Sequence, residues 1–164
     1  MVKKFGKFNL GNFFLIAEIG INHGGNLKKA FKLIDKAKSS GASAVKFQTY
    51  IAEKRVPRNH PAFSIIKKSE LNFDQFEQIK KYCDKKKITF FSTPFDVESV
   101  NFLNDIKVKL FKISSFDIEN YELINAILEK NKYTIISTGM ASLQSIRKIN
   151  KVFNKKKLNH SLLH

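Results

Sequence analysis

Residues 15–49, LIAEIGINHGGNLKKAFKLIDKAKSSGASAVKFQT, have the pattern of a strand, a helix and a second strand. The runs from Leu15 to Gly20 and from Ala44 to Thr49 are rich in branched and aromatic residues, which favours strands. Between them, Leu27 to Ser40 repeats apolar residues at spacings of three and four, as amphipathic helices do. Gly41 is placed to end that helix. The stretch therefore predicts a parallel βαβ unit.

The same alternation continues along the chain. Further strands are predicted at Ile88 to Thr93, Leu110 to Ser114 and Tyr133 to Thr138, with helices at Phe73 to Lys86, from Pro94 or Asp96 onward, Tyr121 to Lys130 and Ser142 to Phe153. This order predicts an α/β protein with a parallel sheet, either open and doubly wound or closed into a barrel. Lys7 to Leu10 and the residues from Phe13 flank Gly11-Asn12, and we expect a small hairpin there.

The composition is that of a globular protein. The 164 residues are 43% hydrophobic and 27% charged, with only 7 Gly and 3 Pro, which excludes disordered and collagen-like classes. No apolar run is long enough to cross a bilayer, and Met1 to Asn12 lacks the apolar core of a signal peptide. We therefore expect a cytoplasmic protein with no membrane partner. The lone cysteine, Cys83, is interpreted as structural.

The chain is strongly basic, with 30 basic and 14 acidic residues and a net charge of +16. Such an excess raises nucleic acid as a partner. However, only Arg55, Arg58 and Arg147 are arginines, and the lysines are dispersed over every predicted helix. Nucleic-acid recognition tends to use the guanidinium fork, so we expect no nucleic-acid partner. A non-catalytic basic protein that binds nucleic acid is kept as the alternative from another functional class.

Several common site signatures are absent from the sequence. The first predicted strand is followed by GINHGGN instead of GxGxxG, and neither a GK[ST] phosphate loop nor a GxSxG elbow occurs. Asn22-His23-Gly24-Gly25 is interpreted as a turn into the first helix, with His23 within possible reach of a ligand. His60, His160 and His164 have no carboxylate or cysteine nearby in the sequence, so no metal site is predicted from them.

Polar residues instead fall toward the carboxyl end of every predicted barrel strand. They are Glu18, Lys46, Gln48, Thr93, Lys112, Ser115 and Ser137. Barrels of alternating strands and helices assemble their active sites at that rim. Two ammonium groups with three hydroxyls suit a phosphate or a carboxylate ligand. Glu18 has two open interpretations, as an acid or base in the reaction or as the ion-pair partner of Lys46 or Lys112.

The stretches IAEIGINHGGNLKKAFKLIDKAKSSGASAVKFQTY, FFSTPFDVESVNFL, FKISSFDIEN and IISTGMASLQSI carry a family resemblance. Together they resemble the N-terminal barrel of the sialic acid synthase family, whose members make nine-carbon nonulosonic acids. The resemblance implies a partial TIM (β/α)8 barrel over residues 1–164, with about five βα units and the start of a sixth strand at Ser161 to His164. It implies that the family's C-terminal antifreeze-like domain is absent from this chain.

Members of that family condense phosphoenolpyruvate with an N-acetylated hexosamine, such as N-acetylmannosamine, and release phosphate. By resemblance, Glu18 is the catalytic carboxylate, and Gln48 and Asp117 contact the sugar. The phosphoenolpyruvate contacts implied in the same way are Lys46, Thr93, Lys112, Ser115 and Ser137. Full-length members use manganese or magnesium, held by histidines of later strands, and are expected to be homodimers. We therefore expect this chain alone to lack metal-dependent synthase activity.

The sugar acceptor is left open by two features of the sequence. Phe116 and Asp117 stand where many sialic acid synthases have glycine and glutamate, and SFD is closer to the SFE pattern of pseudaminic acid synthases. The first strand, AEIG, is more like the sialic and legionaminic branch. Asp117 is also one methylene shorter than glutamate, which shortens its reach to a sugar hydroxyl. Another phosphoenolpyruvate-aldose synthase, such as a 3-deoxy-octulosonate phosphate synthase relative, is the alternative within the same class.

Overall fold

The computed structural model describes Lys4–Phe5, Phe8–Asn9 and residues 14–164. The strands are β1 (Lys4–Phe5), β2 (Phe8–Asn9), β3 (Ile16–Gly20), β4 (Ala44–Thr49), β5 (Thr89–Pro94), β6 (Leu110–Ile113), β7 (Tyr133–Ser137) and β8 (His160–Leu163). The helices are α1 (Leu27–Ser39), α2 (Ala52–Arg55), α3 (Phe63–Lys68), α4 (Phe73–Lys85), α5 (Val97–Asp105), α6 (Tyr121–Glu129) and α7 (Leu143–Lys155). A short 3₁₀ helix, Ser115–Asp117, follows β6.

Strands β3 to β8 form one parallel sheet in which each strand pairs with its successor in the chain. The sheet curls into half of a barrel with helices between its strands. A doubly wound sheet would instead reverse its strand order near the middle. The structure therefore confirms the partial TIM barrel, with five βα units followed by a sixth strand, β8.

The two faces of each strand belong to different apolar clusters. Phe47 and Phe90 pack on the outer face, against helix residues such as Phe76 and Ile34. The inner face carries a smaller cluster of Ala44, Phe91, Leu110 and Ile135. Because side chains alternate along a strand, the next inner positions of the same strands lie above this cluster, toward the carboxyl ends. Those positions hold Lys46, Thr93, Lys112 and Ser137.

Most of the longer helices begin at a side chain that accepts a hydrogen bond from the backbone three residues later. These caps are Asn26, Asn72, Asp96, Asn120 and Ser142. Such caps satisfy backbone N–H groups that have no partner within the helix. Asp96 has a second role, because its other carboxylate oxygen accepts a hydrogen bond from the backbone of Ile51 at 2.9 Å. The loop after β4 is thereby fixed to the start of α5.

The amino-terminal hairpin differs from the predicted one. β1 and β2 are antiparallel, with Lys4 opposite Asn9 and Phe5 opposite Phe8. β2 therefore pairs with Lys4–Phe5 and not with residues from Phe13 onward. The reason is visible in the sequence, since only two residues, one of them a glycine, separate Phe5 from Phe8, and such a spacing is a recognised hairpin signal. The predicted turn at Gly11-Asn12 lies outside the described residues.

Helices α2 and α3 were not predicted. The sequence patterns indicated no helix in residues 50–72, and the structure places both short helices there, between β4 and α4.

None of the helices in the described part of the chain has the length and apolar character of a membrane-spanning segment.

Candidate functional site

A cavity of about 420 Å³ opens at the carboxyl ends of the strands. Its floor includes Ile16, Phe91 and Ile135 from the inner face of the sheet. Seven of the eight residues predicted for the site line this cavity: Glu18, Lys46, Gln48, Thr93, Lys112, Ser115 and Ser137. The alternation of strand residues accounts for all of these positions except Ser115, which lies on the 3₁₀ helix after β6.

Lys46 lies between a carboxylate and a hydroxyl. Its Nζ is 2.7 Å from Oε2 of Glu18 on β3 and donates a hydrogen bond of 3.2 Å to Oγ1 of Thr93 on β5. Glu18 is opposite Lys46 in the pairing of β3 with β4, which explains the contact. The Glu18 side chain is 54% exposed, whereas that of Lys46 is 11% exposed. Of the two open interpretations of Glu18, the structure shows the ion pair, and its partner is Lys46.

Gly20 ends β3 in a left-handed backbone conformation beside these polar side chains. The pairing of β3 with β4 shifts between Glu18 and Gly20, and Gly20 has φ +55°. A Cβ atom at this position would be in ordinary contact with Glu18 and Gln48, at 3.4 Å from Oε1 and 3.7 Å from Nε2. The backbone conformation, which glycine adopts without steric cost, is therefore what favours glycine here.

Lys112 makes a second lysine–hydroxyl contact on the other side of the cavity. Its Nζ donates to Oγ of Ser137 at 2.5 Å and to the carbonyl oxygen of Ile113 at 2.8 Å. Burial lowers the pKa of Lys112 to about 8; the positive charge of Lys46 adds to this effect, and Glu18 partly opposes it. Lys112 is therefore a buried ammonium group whose charge is not matched by a contacting carboxylate in the described structure.

Arg55, Phe95 and Phe116 also line the cavity and were not predicted. Arg55 ends α2, and its Nη1 donates to Oε1 of Gln48 at 3.0 Å. All three residues lie beyond the ends of strands, where the alternation of strand residues gives no information. One signal was available for Arg55, since it is one of only three arginines in a lysine-rich chain.

Asp117 lies on the 3₁₀ helix and does not line the cavity. Burial raises the pKa of its carboxyl group, while hydrogen bonds from Asn120 and Ser114 and the charge of Arg55 partly oppose that rise. Oδ2 of Asp117 is buried and has no hydrogen-bond partner in the described structure. Its contact with a sugar stays a prediction.

His23 is buried on the other side of the sheet, at 1% exposure. Its Nδ1 accepts a hydrogen bond from the backbone of Gly25 at 3.1 Å, and its ring stacks on Phe47 at 5.8 Å between centroids. Burial lowers the pKa of His23 to about 4, so the ring is neutral at pH 7. His23 therefore packs in the turn before α1 and does not line this cavity, and a contact between His23 and a ligand stays a prediction.

The described residues do not supply a metal site. Across residues 14–164, no group of three or more His, Cys, Asp and Glu side chains is arranged to hold an ion. The cavity carboxylate, Glu18, is paired with Lys46. Cys83 is buried in the core cluster, and burial raises the pKa of its thiol to about 12, as expected of a structural cysteine. The manganese or magnesium implied by the resemblance therefore does not fit the described residues.

Comparison with known proteins agrees with this architecture. The crystal structure of N-acetylneuraminic acid (sialic acid) synthetase from Leptospira borgpetersenii is 40% identical, with a TM-score of 0.92 over 99% of this chain and 58% of that one. The N,N'-diacetyllegionaminic acid synthase of Campylobacter jejuni is 38% identical over 92% of this chain and 50% of its own length. The pseudaminic acid synthase of the same species is 32% identical over 90% of this chain and 49% of its own length.

The chain thus spans about half the length of these relatives. Residues 33–164 match the model of the NeuB family, which is most of the chain. With the six-stranded half-barrel and the cavity at its carboxyl rim, these matches show that the chain belongs to the NeuB family of sialic acid and other nonulosonic acid synthases.

Proposed function

We propose that this chain carries the phosphoenolpyruvate-binding part of a nonulosonic acid synthase, a carbon–carbon bond-forming transferase of class EC 2.5.1. The observation that supports this most is the presence of two lysine–hydroxyl pairs in one cavity, Lys46 with Thr93 and Lys112 with Ser137. Phosphoenolpyruvate has two anionic ends, a phosphate and a carboxylate. A positive charge with a neutral donor beside it suits each end.

In the proposed reaction, the terminal carbon of the enol attacks the aldehyde carbon of an N-acylated aldose, and the aldehyde oxygen takes a proton. Water then adds to the resulting cationic carbon and loses a proton. The carbon–oxygen bond to phosphate breaks, so that a ketone forms and inorganic phosphate leaves. The lysines and hydroxyls hold the anionic ends and stabilise the charge, which is the main contribution of such groups.

Glu18 has a defined role in this series of reaction steps. An anion that binds Lys46 competes with Glu18 for the same ammonium group, because Lys46 contacts both Glu18 and the Thr93 side of the cavity. The carboxylate is then available as a base that accepts a proton from the attacking water, and only the protonated form of Glu18 would donate a proton to the aldehyde oxygen. The proposed catalytic role of Glu18 therefore starts from the ion pair seen in the structure.

For the whole protein we propose an N-acylated amino sugar as the acceptor, a divalent cation as the cofactor, homodimeric assembly and a cytoplasmic location. The relatives described above include legionaminic, pseudaminic and N-acetylneuraminic acid synthases, so several acceptors fit the proposal. Because residues 14–164 contain no group of three or more His, Cys, Asp and Glu side chains arranged for an ion, the cation would need ligands from elsewhere in the whole protein.

The proposal is tested by titrating the 164-residue chain with phosphoenolpyruvate in a calorimeter and assaying phosphate release with N-acetylmannosamine. We expect saturable binding of phosphoenolpyruvate with one site per chain and no phosphate release. If the chain does not bind phosphoenolpyruvate but binds duplex DNA with an affinity that falls steeply as salt is added, the result would support the basic nucleic-acid-binding alternative instead. Phosphate release by the chain would contradict the proposal that it is only part of a synthase.

The affinity for phosphoenolpyruvate should depend on pH through Lys112. Its pKa is lowered to about 8, so the ammonium is present below that pH and is lost above it. An anionic ligand favours the protonated form, and its affinity should therefore decrease by up to about tenfold per pH unit above about pH 8. Calorimetric titrations between about pH 7 and pH 9 check this.

Lys132 offers a control for the pH dependence. Burial lowers its pKa as well, but it immediately precedes β7, at the amino ends of the strands, and donates to the carbonyl oxygen of Val108. A Lys132→Met chain should keep the same decline of affinity with pH. An affinity that is constant over this range in the unaltered chain would argue against a contact between Lys112 and the ligand.

A further inference from the structure

Arg55 is held in a fixed orientation at the rim of the cavity. Its guanidinium carbon is 3.8 Å from the ring centroid of Phe95 and 4.7 Å from that of Tyr50. Contacts between a guanidinium group and aromatic rings are favourable and restrict the motion of a long side chain. The loop that carries α2 is itself fixed, because the backbone of Ile51 donates to the capping residue Asp96.

The hydrogen bond from Arg55 to Gln48 determines the orientation of the Gln48 side-chain amide. Nη1 of Arg55 donates to Oε1 of Gln48 at 3.0 Å, so the amide oxygen faces Arg55. The amide nitrogen of Gln48 is then on the side of Gly20 and Glu18, where a Cβ atom on Gly20 would be 3.7 Å from it. Gln48 therefore presents N–H donors toward the cavity, next to the Glu18 carboxylate.

Arg55 also adds positive charge at the outer end of the cavity. The lining contains three cationic side chains, Lys46, Lys112 and Arg55, against the single carboxylate of Glu18. Gln48 is two residues beyond Lys46 on the same strand face, so Arg55 lies farther from the cavity floor than the lysine–hydroxyl pairs do. A guanidinium has five N–H donors, and the hydrogen bond to Gln48 uses one of them.

We propose that Arg55 is a specificity-determining residue for the acceptor, and this rests on the proposed synthase function. The guanidinium and the Gln48 amide donate hydrogen bonds to oxygen atoms of an N-acylated aldose above bound phosphoenolpyruvate. The same positive charge disfavours an aldose with a free amino group, which is cationic when protonated. The site thus selects acceptors that present acyl and hydroxyl oxygens and no ammonium.

The test measures sugar binding by the 164-residue chain saturated with phosphoenolpyruvate, at about pH 6, where the amine is protonated. N-acetylmannosamine and mannosamine are titrated into the unaltered chain, Arg55→Met and Arg55→Lys. Arg58→Met is the matched control, because Arg58 is in the same loop region, is 80% exposed and lies outside the cavity lining. Circular dichroism and the affinity for phosphoenolpyruvate are recorded for every chain.

We expect the unaltered chain and Arg58→Met to prefer N-acetylmannosamine. Arg55→Met should weaken N-acetylmannosamine binding by about tenfold or more, since a charged hydrogen-bond donor is lost, and should reduce the preference over mannosamine. Arg55→Lys should still disfavour mannosamine but bind N-acetylmannosamine more weakly than the unaltered chain, because lysine lacks the planar fork. Arg55→Lys, which keeps the positive charge of the cavity, should hold the affinity for phosphoenolpyruvate within about twofold, and Arg55→Met should weaken phosphoenolpyruvate binding less than it weakens N-acetylmannosamine binding.

Three results would overturn the inference. They are unchanged sugar affinities in Arg55→Met, an equal loss of phosphoenolpyruvate affinity in that variant, and an unaltered chain that does not bind N-acetylmannosamine at all when phosphoenolpyruvate is bound. In each case phosphoenolpyruvate binding by the unaltered chain leaves the proposed function in place. Failure of the unaltered chain to bind phosphoenolpyruvate would instead count against the proposed function itself.

Discussion

Replacing Lys46 or Lys112 by methionine is expected to weaken phosphoenolpyruvate binding by about a hundredfold or more. Each substitution removes a mostly buried ammonium group from the lysine–hydroxyl pair that would hold one anionic end of the ligand. Loss of one partner from a buried charged contact costs about 2–5 kcal/mol, and a hundredfold change corresponds to about 2.8 kcal/mol. Titration calorimetry at about pH 7 measures the change.

The two variants should differ in a way that reveals the role of Glu18. Lys46→Met leaves the Glu18 carboxylate without its ion-pair partner, facing the site of the incoming anion. Lys46→Met should therefore be the more damaging substitution, and adding Glu18→Gln should recover part of the affinity. Lys132→Met, at the amino ends of the strands, should bind phosphoenolpyruvate like the unaltered chain. Equal affinities in Lys46→Met, Lys112→Met and Lys132→Met would contradict the assigned site.

Stability measurements separate loss of binding from loss of folding. Burial lowers the pKa of Lys112, which means that the folded chain carries a cost for its charged form. Removing the ammonium should therefore leave the free energy of unfolding of Lys112→Met unchanged or higher at about pH 7. That cost is fully present below about pH 8 and falls as the pH rises from about 8 toward the ordinary lysine pKa of 10.5, so stability should improve over that range.

The largest expected loss of stability is at Gly25, in the turn between β3 and α1. Gly25 has φ +75°, and a Cβ atom there would lie 2.3 Å from the carbonyl oxygen of Lys68 at the end of α3. Gly25→Ala therefore combines an unfavourable left-handed backbone with a backbone clash. We expect a loss of about 2–5 kcal/mol in the free energy of unfolding, measured with urea.

Gly24 is the matched control for this prediction. It has φ +57°, but a Cβ atom on Gly24 would meet nothing within 4 Å. Gly24→Ala should therefore cost only the backbone term, about 1–2 kcal/mol. The difference between the two variants isolates the contact with α3. Equal losses at Gly24 and Gly25 would show that the approach of the Lys68 carbonyl is not important for stability.

Strand positions, helix starts and the cavity lining were predictable from sequence for physical reasons. Each βα unit has a local pattern, and residues such as Asn72 and Asp96 satisfy the helix ends where the apolar periodicity begins. The order of the strands was not predictable by pattern, because open and closed sheets use the same local unit. Helix α2 has only four residues and α3 six, which is too short for helical periodicity to be evident.

In the site, too, residues on strands were predictable from the sequence and residues on loops were not. Lys46 and Gln48 share a strand face by the period of two, so their convergence followed from the sequence. Arg55, Phe95 and Phe116 follow strand ends, and the positions of Arg55 and Phe95 depend on their contact with each other across two loops. Asp117 illustrates the limit of a motif, since the resemblance implies a sugar contact but the 3₁₀ helix places this residue outside the cavity lining.

Mapping the backbone amides that shift when phosphoenolpyruvate is added tests the central claim most directly. In ¹H–¹⁵N NMR spectra of the 164-residue chain, we expect saturable shifts at the carboxyl rim, around residues 18–20, 46–49, 93–95, 112–116 and 137–139. A second basic cavity lies at the amino ends of the strands, lined by Lys107, Lys109, Lys130, Lys132 and Lys157. Shifts confined to that lysine-lined cavity, or the absence of any saturable shift, would contradict the phosphoenolpyruvate site.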